Sequence, residues 1–343
     1  MTDRLVKYFG KNFSKDQRTE SYDFIENYIS QQVKNWTNAP DTDTIAAKFA
    51  DDISKMGKPE FLFLLSHAGY IPEFYDHDSS QETLYSKLLE VLVCEWAKRI
   101  GFKDSHIQKQ KASKEDVTIK INDIIIVCDA KSYRLGRSQA APNVKDTIKK
   151  ADYEKWQKHW SEESTKEKPY NPIGGLITFP SMHRWKGASD AYLYSTDKEK
   201  PISILYYEHL AYCIIKGLSQ EKLIGLLKAY PHLFPKPSTD QHKYFETILA
   251  FLFPDRDDLF EYLKLFAEIS EEKVAHTIKR IDIELHETHK RIQQEVEGIN
   301  DVSLLKRQLV DALVENRNGQ LKKNLINIKK FRNTPIGKGK KKN

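Results

Sequence analysis

The stretch Asp116-Val-Thr-Ile-Lys-Ile-Asn-Asp-Ile-Ile-Ile-Val-Cys-Asp-Ala-Lys131 decides how this chain is read. Val117 to Ile121 alternates apolar and polar side chains, the period of a strand with one face on a core. Asn122-Asp123 is turn chemistry, and Ile124-Ile-Ile-Val-Cys128 is a continuous run of strand formers. The pattern predicts a hairpin whose second strand is central and buried. A hairpin returns the chain on itself, so the start of its first strand lies beside the end of its second. Asp116 and Asp129 therefore converge, although twelve residues separate them. Asp129 and Lys131, two apart on one strand, leave the same face.

Two carboxylates and an ammonium at the end of an apolar strand suit one chemistry well. Mg²⁺ keeps several waters while binding one or two protein carboxylates and a substrate phosphate. Such an ion polarises the phosphate and lowers the pKa of a bound water. Lys131 beside that water would orient it, help it lose a proton or stabilise charge on the phosphorane. Asp116 and Asp129 are thus candidate metal ligands, with the backbone oxygen of Ala130 as a third. An Asp-x-Lys triplet alone is common and is ordinarily an exposed ion pair. This one follows five β-formers directly, where charge without function is costly. Read from these residues alone, a phosphodiester-cutting site and a structural ion pair both stay open.

Working outward, residues 15–37 and 43–66 carry helical spacing, enough for two or three helices. Asp78-Ser79-Ser80 offers caps for a long helix from Gln81 to Ile100, with Leu84, Leu88, Val91, Leu92 and Trp96 as its apolar stripe and Gly101 beyond its end. Glu90, on the edge of that stripe, is a candidate third acid; a solvent-facing glutamate is the plainer account, and Glu82 and Glu95 compete with it. After the hairpin come a helix over 144–161, strands over 174–179 and 202–207, and a helix from Glu208. From Ser219 the pattern is helical, with Pro231, Pro235 and Pro254 as breaks and two or three long amphipathic helices over 257–333. The division expected is a helical region 1–78, a catalytic core 79–218, a helical region 219–335 and a basic tail 336–343.

Composition narrows the class. A mean hydropathy of -0.63 and 30% charged residues argue against a membrane protein. Cys94, Cys128 and Cys213 lack metal or disulfide spacing, and the N-terminus lacks a secretory core, so a reduced, cytoplasmic protein is expected. The net charge of +6 suits a polyanion partner only weakly; its clustering over 131–158 says more. Ser132, Tyr133, Arg134 and Arg137 follow Lys131 and are candidate phosphate contacts, as are Lys145 and Lys149 on the next helix; surface salt bridging and a solvated helix face are the alternatives. His183-Arg-Trp-Lys186 suits either a groove-entering loop or a core tryptophan. His286-Glu-Thr-His289 has the wrong spacing for a zinc helix and reads as a surface.

Helix, Asp, hairpin, Asp-x-Lys in this order resembles the PD-(D/E)XK nuclease core. Three segments are more specifically similar to the HindIII-type restriction endonuclease family: Gly69-Tyr-Ile-Pro-Glu73 with Ser79-Ser-Gln-Glu-Thr-Leu-Tyr-Ser-Lys87; Val127-Cys-Asp-Ala-Lys-Ser-Tyr-Arg-Leu-Gly-Arg137; and Tyr207-Glu-His-Leu-Ala211. The similarity spans residues 50–215, and Glu115 stands where a proline would complete the motif. The resemblance implies an α/β restriction endonuclease-like fold, a mixed sheet flanked by helices with helical regions at both ends. It also implies a homodimer that cuts a short palindrome in duplex DNA with Mg²⁺, possessing a cognate DNA methyltransferase and having AAGCTT as the family's site. Asp116, Asp129 and Lys131 would be the catalytic set, with Asp146 at a further position associated with activity. Another nuclease of the same fold, acting in repair or on junctions, and a non-catalytic DNA-binding protein are the alternatives.

Overall fold

A computed structural model describes residues 1–36, 40–109, 114–135, 149–181, 190–196, 201–297 and 303–332. Its centre is the expected hairpin. Strand β2 (Val117–Ile121) pairs antiparallel with β3 (Ile124–Ala130), and Ile121 faces Ile124 across a two-residue turn. Asn122 takes a left-handed conformation there, φ 52°, which a short polar side chain tolerates. β4 (Asn171–Phe179) and β5 (Ile202–Tyr206) then add in parallel. A two-residue strand, β1 (His106–Ile107), lies outside β2, giving a mixed sheet in the order β1-β2-β3-β4-β5. β1 was not foreseen: two residues carry no period.

Among the described residues five short helices precede the long α6 (Ser80–Arg99): α1 (Thr2–Phe9), α2 (Lys15–Tyr22), α3 (Phe24–Gln32), α4 (Thr42–Ser54) and α5 (Lys58–His67). The Ser79 hydroxyl caps α6 by accepting from Glu82 N at 3.2 Å. Leu84, Leu88, Leu92 and Trp96 are wholly buried along it. α7 (Lys150–Glu162) lies against β4 at Gly175, where a Cβ would stand 2.4 Å from the Tyr153 ring. Gly175 pairs with Val127 and Ile177 with Asp129, so Asp129 projects from the face that α7 covers.

A short helix α8 (Asp190–Ser195) precedes β5, and α9 (Tyr207–Ile215), α10 (Gln220–Leu233) and α11 (Gln241–Leu252) follow it. Pro231 does not break the helix as expected. It sits in the last turn of α10, where one missing donor costs little and the helix ends two residues on. The stretch 257–333 forms two helices, α12 (Leu259–Glu297) and α13 (Ser303–Arg332). At 39 residues α12 runs roughly 58 Å. One contiguous core extends from Leu5 to Ile269, so the N-terminal helices and the sheet share it. The α12–α13 pair has a smaller core of its own with Tyr70 and Leu135, next to the exit of β3. There Asn324 Nδ2 donates to Glu73 Oε2 at 2.9 Å, both side chains buried. Cys94, Cys128 and Cys213 are free thiols in the interior. Among the described residues no helix is long and apolar enough to cross a membrane.

Candidate active site

The hairpin register delivers Asp116 to the end of β3. Asp116 N donates to Cys128 O at 3.1 Å, and Ala130 N donates to Asp116 Oδ2 at 3.0 Å. The side chain of Asp116 therefore caps the strand on which Asp129 stands. The two carboxyl groups lie within hydrogen-bonding reach of each other. Lys131 Nζ reaches Asp129 Oδ2 at 2.7 Å, as side chains two apart on one face should. Lys131 N in turn donates to Thr178 O at 3.0 Å, so β4 holds the lysine's backbone.

Charge in this cluster is unbalanced. Asp129 is 6% exposed. Burial pushes its carboxyl up to about 7; the Lys131 ammonium pulls the other way, and the Asp116 carboxylate adds to the rise. Burial also opposes the charge on Lys131, but Asp129, Asp116 and Asp152 outweigh it and hold that ammonium above its ordinary value. Asp152, in the first turn of α7, was not singled out from the sequence. Its only signal there was its place on a helix following the hairpin.

The other expected residues scatter. Glu90 is 2% exposed, so it is no solvent-facing glutamate; it lies 3.8 Å from Lys87 Nζ. Among the described residues no three acids, histidines or cysteines form a ligand group. The competitors of Glu90 are committed elsewhere, Glu82 to Arg134 at 2.8 Å and Glu95 to Arg99 at 2.7 Å. Arg134 departs most from a phosphate clamp. Only 8% exposed, it donates to Pro72 O, Asp76 O and Glu82 Oε2 at 2.8–3.2 Å, fastening the loop before α6 to the exit of β3. An arginine so enclosed is not free to meet a backbone phosphate in this conformation. The Ser132 hydroxyl pairs with Ser86 at 3.1 Å, and the Tyr133 ring stacks on Phe179 with centroids 6.1 Å apart. Tyr133 N donates to Gly69 O, and Ile71 N to Tyr133 O, which joins two of the quoted family segments. Lys149 is exposed at the head of α7. Arg137, Lys145, Asp146 and the loop His183–Lys186 lie outside the described residues. Tyr207-Glu-His-Leu-Ala211 is buried throughout and serves the fold: Ser181 Oγ donates to Glu208 Oε1 and Tyr262 OH to Glu208 O. His286 and His289 are exposed on α12, as a surface helix requires.

A mixed sheet flanked by helices, with two acids and a lysine at the end of its central strand, defines a restriction endonuclease-like protein. The family model described as HindIII restriction endonuclease matches residues 26–328. Over 264 residues the chain is 24% identical to the type II restriction enzyme HindIII of Haemophilus influenzae, an alignment covering 73% of this chain and 78% of that protein. The chain belongs to the HindIII restriction endonuclease family. It is accordingly an enzyme, a type II site-specific deoxyribonuclease whose partner is DNA and whose class works with a divalent metal.

Proposed function

We propose that this enzyme hydrolyses phosphodiester bonds in duplex DNA at a short palindrome, with Mg²⁺ held by Asp116, Asp129 and the Ala130 carbonyl. The observation that carries the reading is the Ala130 N–H bond to Asp116 Oδ2 beside the Asp129–Lys131 pair. The donor set fits a hard cation: two carboxylates, one so deeply buried beside the other that its carboxyl is pushed up to about 7. The N–H and C=O of one strand residue point to the same side, so the Ala130 carbonyl shares the edge on which Asp116 is pinned. When bound, the ion supplies charge neutralisation and a more acidic water.

The protein's own groups then have distinct tasks. Asp116 and Asp129 supply oxygen ligands and fix where the phosphate sits. Lys131, charged and tethered to Asp129, orients the attacking water and stabilises the negative charge that grows on phosphorus. Ser132, Tyr133 and Lys149, with Arg137, Lys145 and Asp146 beyond the described residues, remain our assigned DNA-contacting and supporting positions. A two-fold homodimer matches a palindrome, AAGCTT is the first site to test, and a cognate methyltransferase would protect the host.

A plasmid digest with Mg²⁺ tests the reading. Discrete fragments mapping to one hexanucleotide are expected. A smear, or cutting confined to branched or damaged DNA, would replace the restriction reading with another nuclease activity.

A further inference from the structure

Glu115, immediately before Asp116, is 1% exposed. Its Oε1 accepts three hydrogen bonds, from Trp160 Nε1 at 2.7 Å, Thr118 Oγ1 at 2.7 Å and Gln108 Nε2 at 3.2 Å. Its Oε2 accepts none. A carboxylate is an expensive group to bury merely to fill space, and one gathering three donors on a single atom fixes the elements that bring them.

Those elements surround the site. Gln108, just past β1, donates its N–H to Asp116 O at 3.3 Å and its amide also to Thr118 Oγ1 at 2.7 Å. The carbonyl of Gln108 accepts from Lys87 Nζ of α6, the ammonium beside Glu90. On its other side, Asp116 N is bonded to Cys128 O of β3. The backbone of Asp116 is thus gripped from both flanks, and on the β1 flank the grip closes through the Glu115 carboxylate. Trp160 belongs to the last turns of α7, the helix that covers the face bearing Asp129. One oxygen atom therefore ties α7 to the root of the acidic strand.

We propose that Glu115 is a positioning residue for Asp116, setting metal affinity by fixing that ligand and docking α7. The proposal rests on the Mg²⁺ nuclease reading above. Loss of the carboxylate leaves the Gln108 amide held by Thr118 Oγ1 alone and leaves the Trp160 and Thr118 donors without their acceptor. Residues behind a metal ligand typically change metal affinity about 10–100-fold when removed.

Mn²⁺ binding, followed by the electron paramagnetic resonance signal of free Mn²⁺, tests this without relying on turnover. Glu115→Ala is expected to weaken Mn²⁺ binding by about tenfold and to raise the Mg²⁺ needed for half-maximal cleavage by a similar factor. Glu115→Gln replaces only the unpartnered Oε2 by NH₂ and is expected to stay within about threefold of wild type. Gln108→Met, which cuts the same link without touching the carboxylate, should weaken binding by roughly threefold and serves if Glu115→Ala does not fold. Ile281→Ala, in the separate core of the C-terminal helices, should lower thermal stability and leave Mn²⁺ binding alone. Unchanged Mn²⁺ binding in the folded Glu115→Ala and Gln108→Met proteins overturns the positioning role, as does equal weakening in Ile281→Ala. A wild-type protein that binds no Mn²⁺ and cuts no DNA instead removes the nuclease reading, and this proposal with it.

Discussion

At the seam between α12 and the N-terminal helices, Glu272 receives Arg18 Nε and Nη2 at 2.7 and 2.8 Å and the Tyr22 hydroxyl at 3.0 Å. One helical turn further, Asp23 meets His276 and Arg280 at 2.9 Å, and Glu26 takes the same guanidinium at 2.7 Å. Arg4 grips Glu268 with both carboxylate oxygens engaged. At the end of β3, by contrast, two aspartates share one lysine. The same residue types thus end in opposite states. Although burial opposes it, the bonds from Arg18 and Tyr22 hold Glu272 below the usual carboxylate range, and His276 and Arg280 do the same for Asp23. Burial pushes Asp129 above that range. Charges matched to their partners make a joint; charges left short of a partner mark where something else belongs.

Substitutions at the two places should separate them. Asp129→Asn is expected to lower cleavage by roughly 10³-fold or more in single-turnover assays while DNA retention in a gel shift persists. The same change should raise the melting temperature at pH 8 without metal, by roughly 3 °C. The sign follows from linkage: a carboxyl whose folded pKa is raised favours the fold below its unfolded value, near 4. That contribution is lost as pH rises to about 7. The gain from Asp129→Asn should therefore shrink at pH 4; an equal gain at both pH values would mean that the site is not charge-starved.

Arg280→Ala should do the reverse, costing about 2 kcal/mol, or roughly 3 °C of melting temperature, with cleavage at 25 °C intact. Acid should expose the seam from the other side. Glu272 and Asp23 have depressed folded pKa values, so their contribution is present above the unfolded value and lost as pH falls below about 4. Urea denaturation at pH 3 and pH 6 measures this; equal stability at both would contradict the pairing. The smallest effect belongs to an exposed pair such as Lys158–Glu162, where Lys158→Ala should change stability by less than about 0.5 kcal/mol.

The sequence told different parts of this molecule with unequal clarity. The hairpin was legible because two periods and a turn meet there, and Asp116, Asp129 and Lys131 could be brought together by register alone. Helix α6 announced itself through Ser79 and its leucine stripe. Glu90 and Arg134 were harder, since a charged residue near a predicted strand or helix does not reveal which buried partner it has. Arg134 meets Pro72, Asp76 and Glu82, all more than fifty residues away, and no local pattern encodes such a meeting. In the sequence Glu115 shows only as a missing proline; its three donors come from β2, the segment after β1 and α7. Asp152 acts through space on Lys131 from a helix whose spacing says nothing about electrostatics.

The turn at Asn122-Asp123 carries a rule for how this enzyme can vary. Ile121 faces Ile124, and every pair up to Val117 and Cys128 follows from that closure. Side chains alternate between faces, so one extra residue in either strand would aim one aspartate away from the other. Two extra residues in each strand would lengthen the arm and bring both acids back to a common side. Tolerated changes in this hairpin are therefore quantised, arriving in matched even steps, and a lineage that gains a single residue there loses its chemistry in one event.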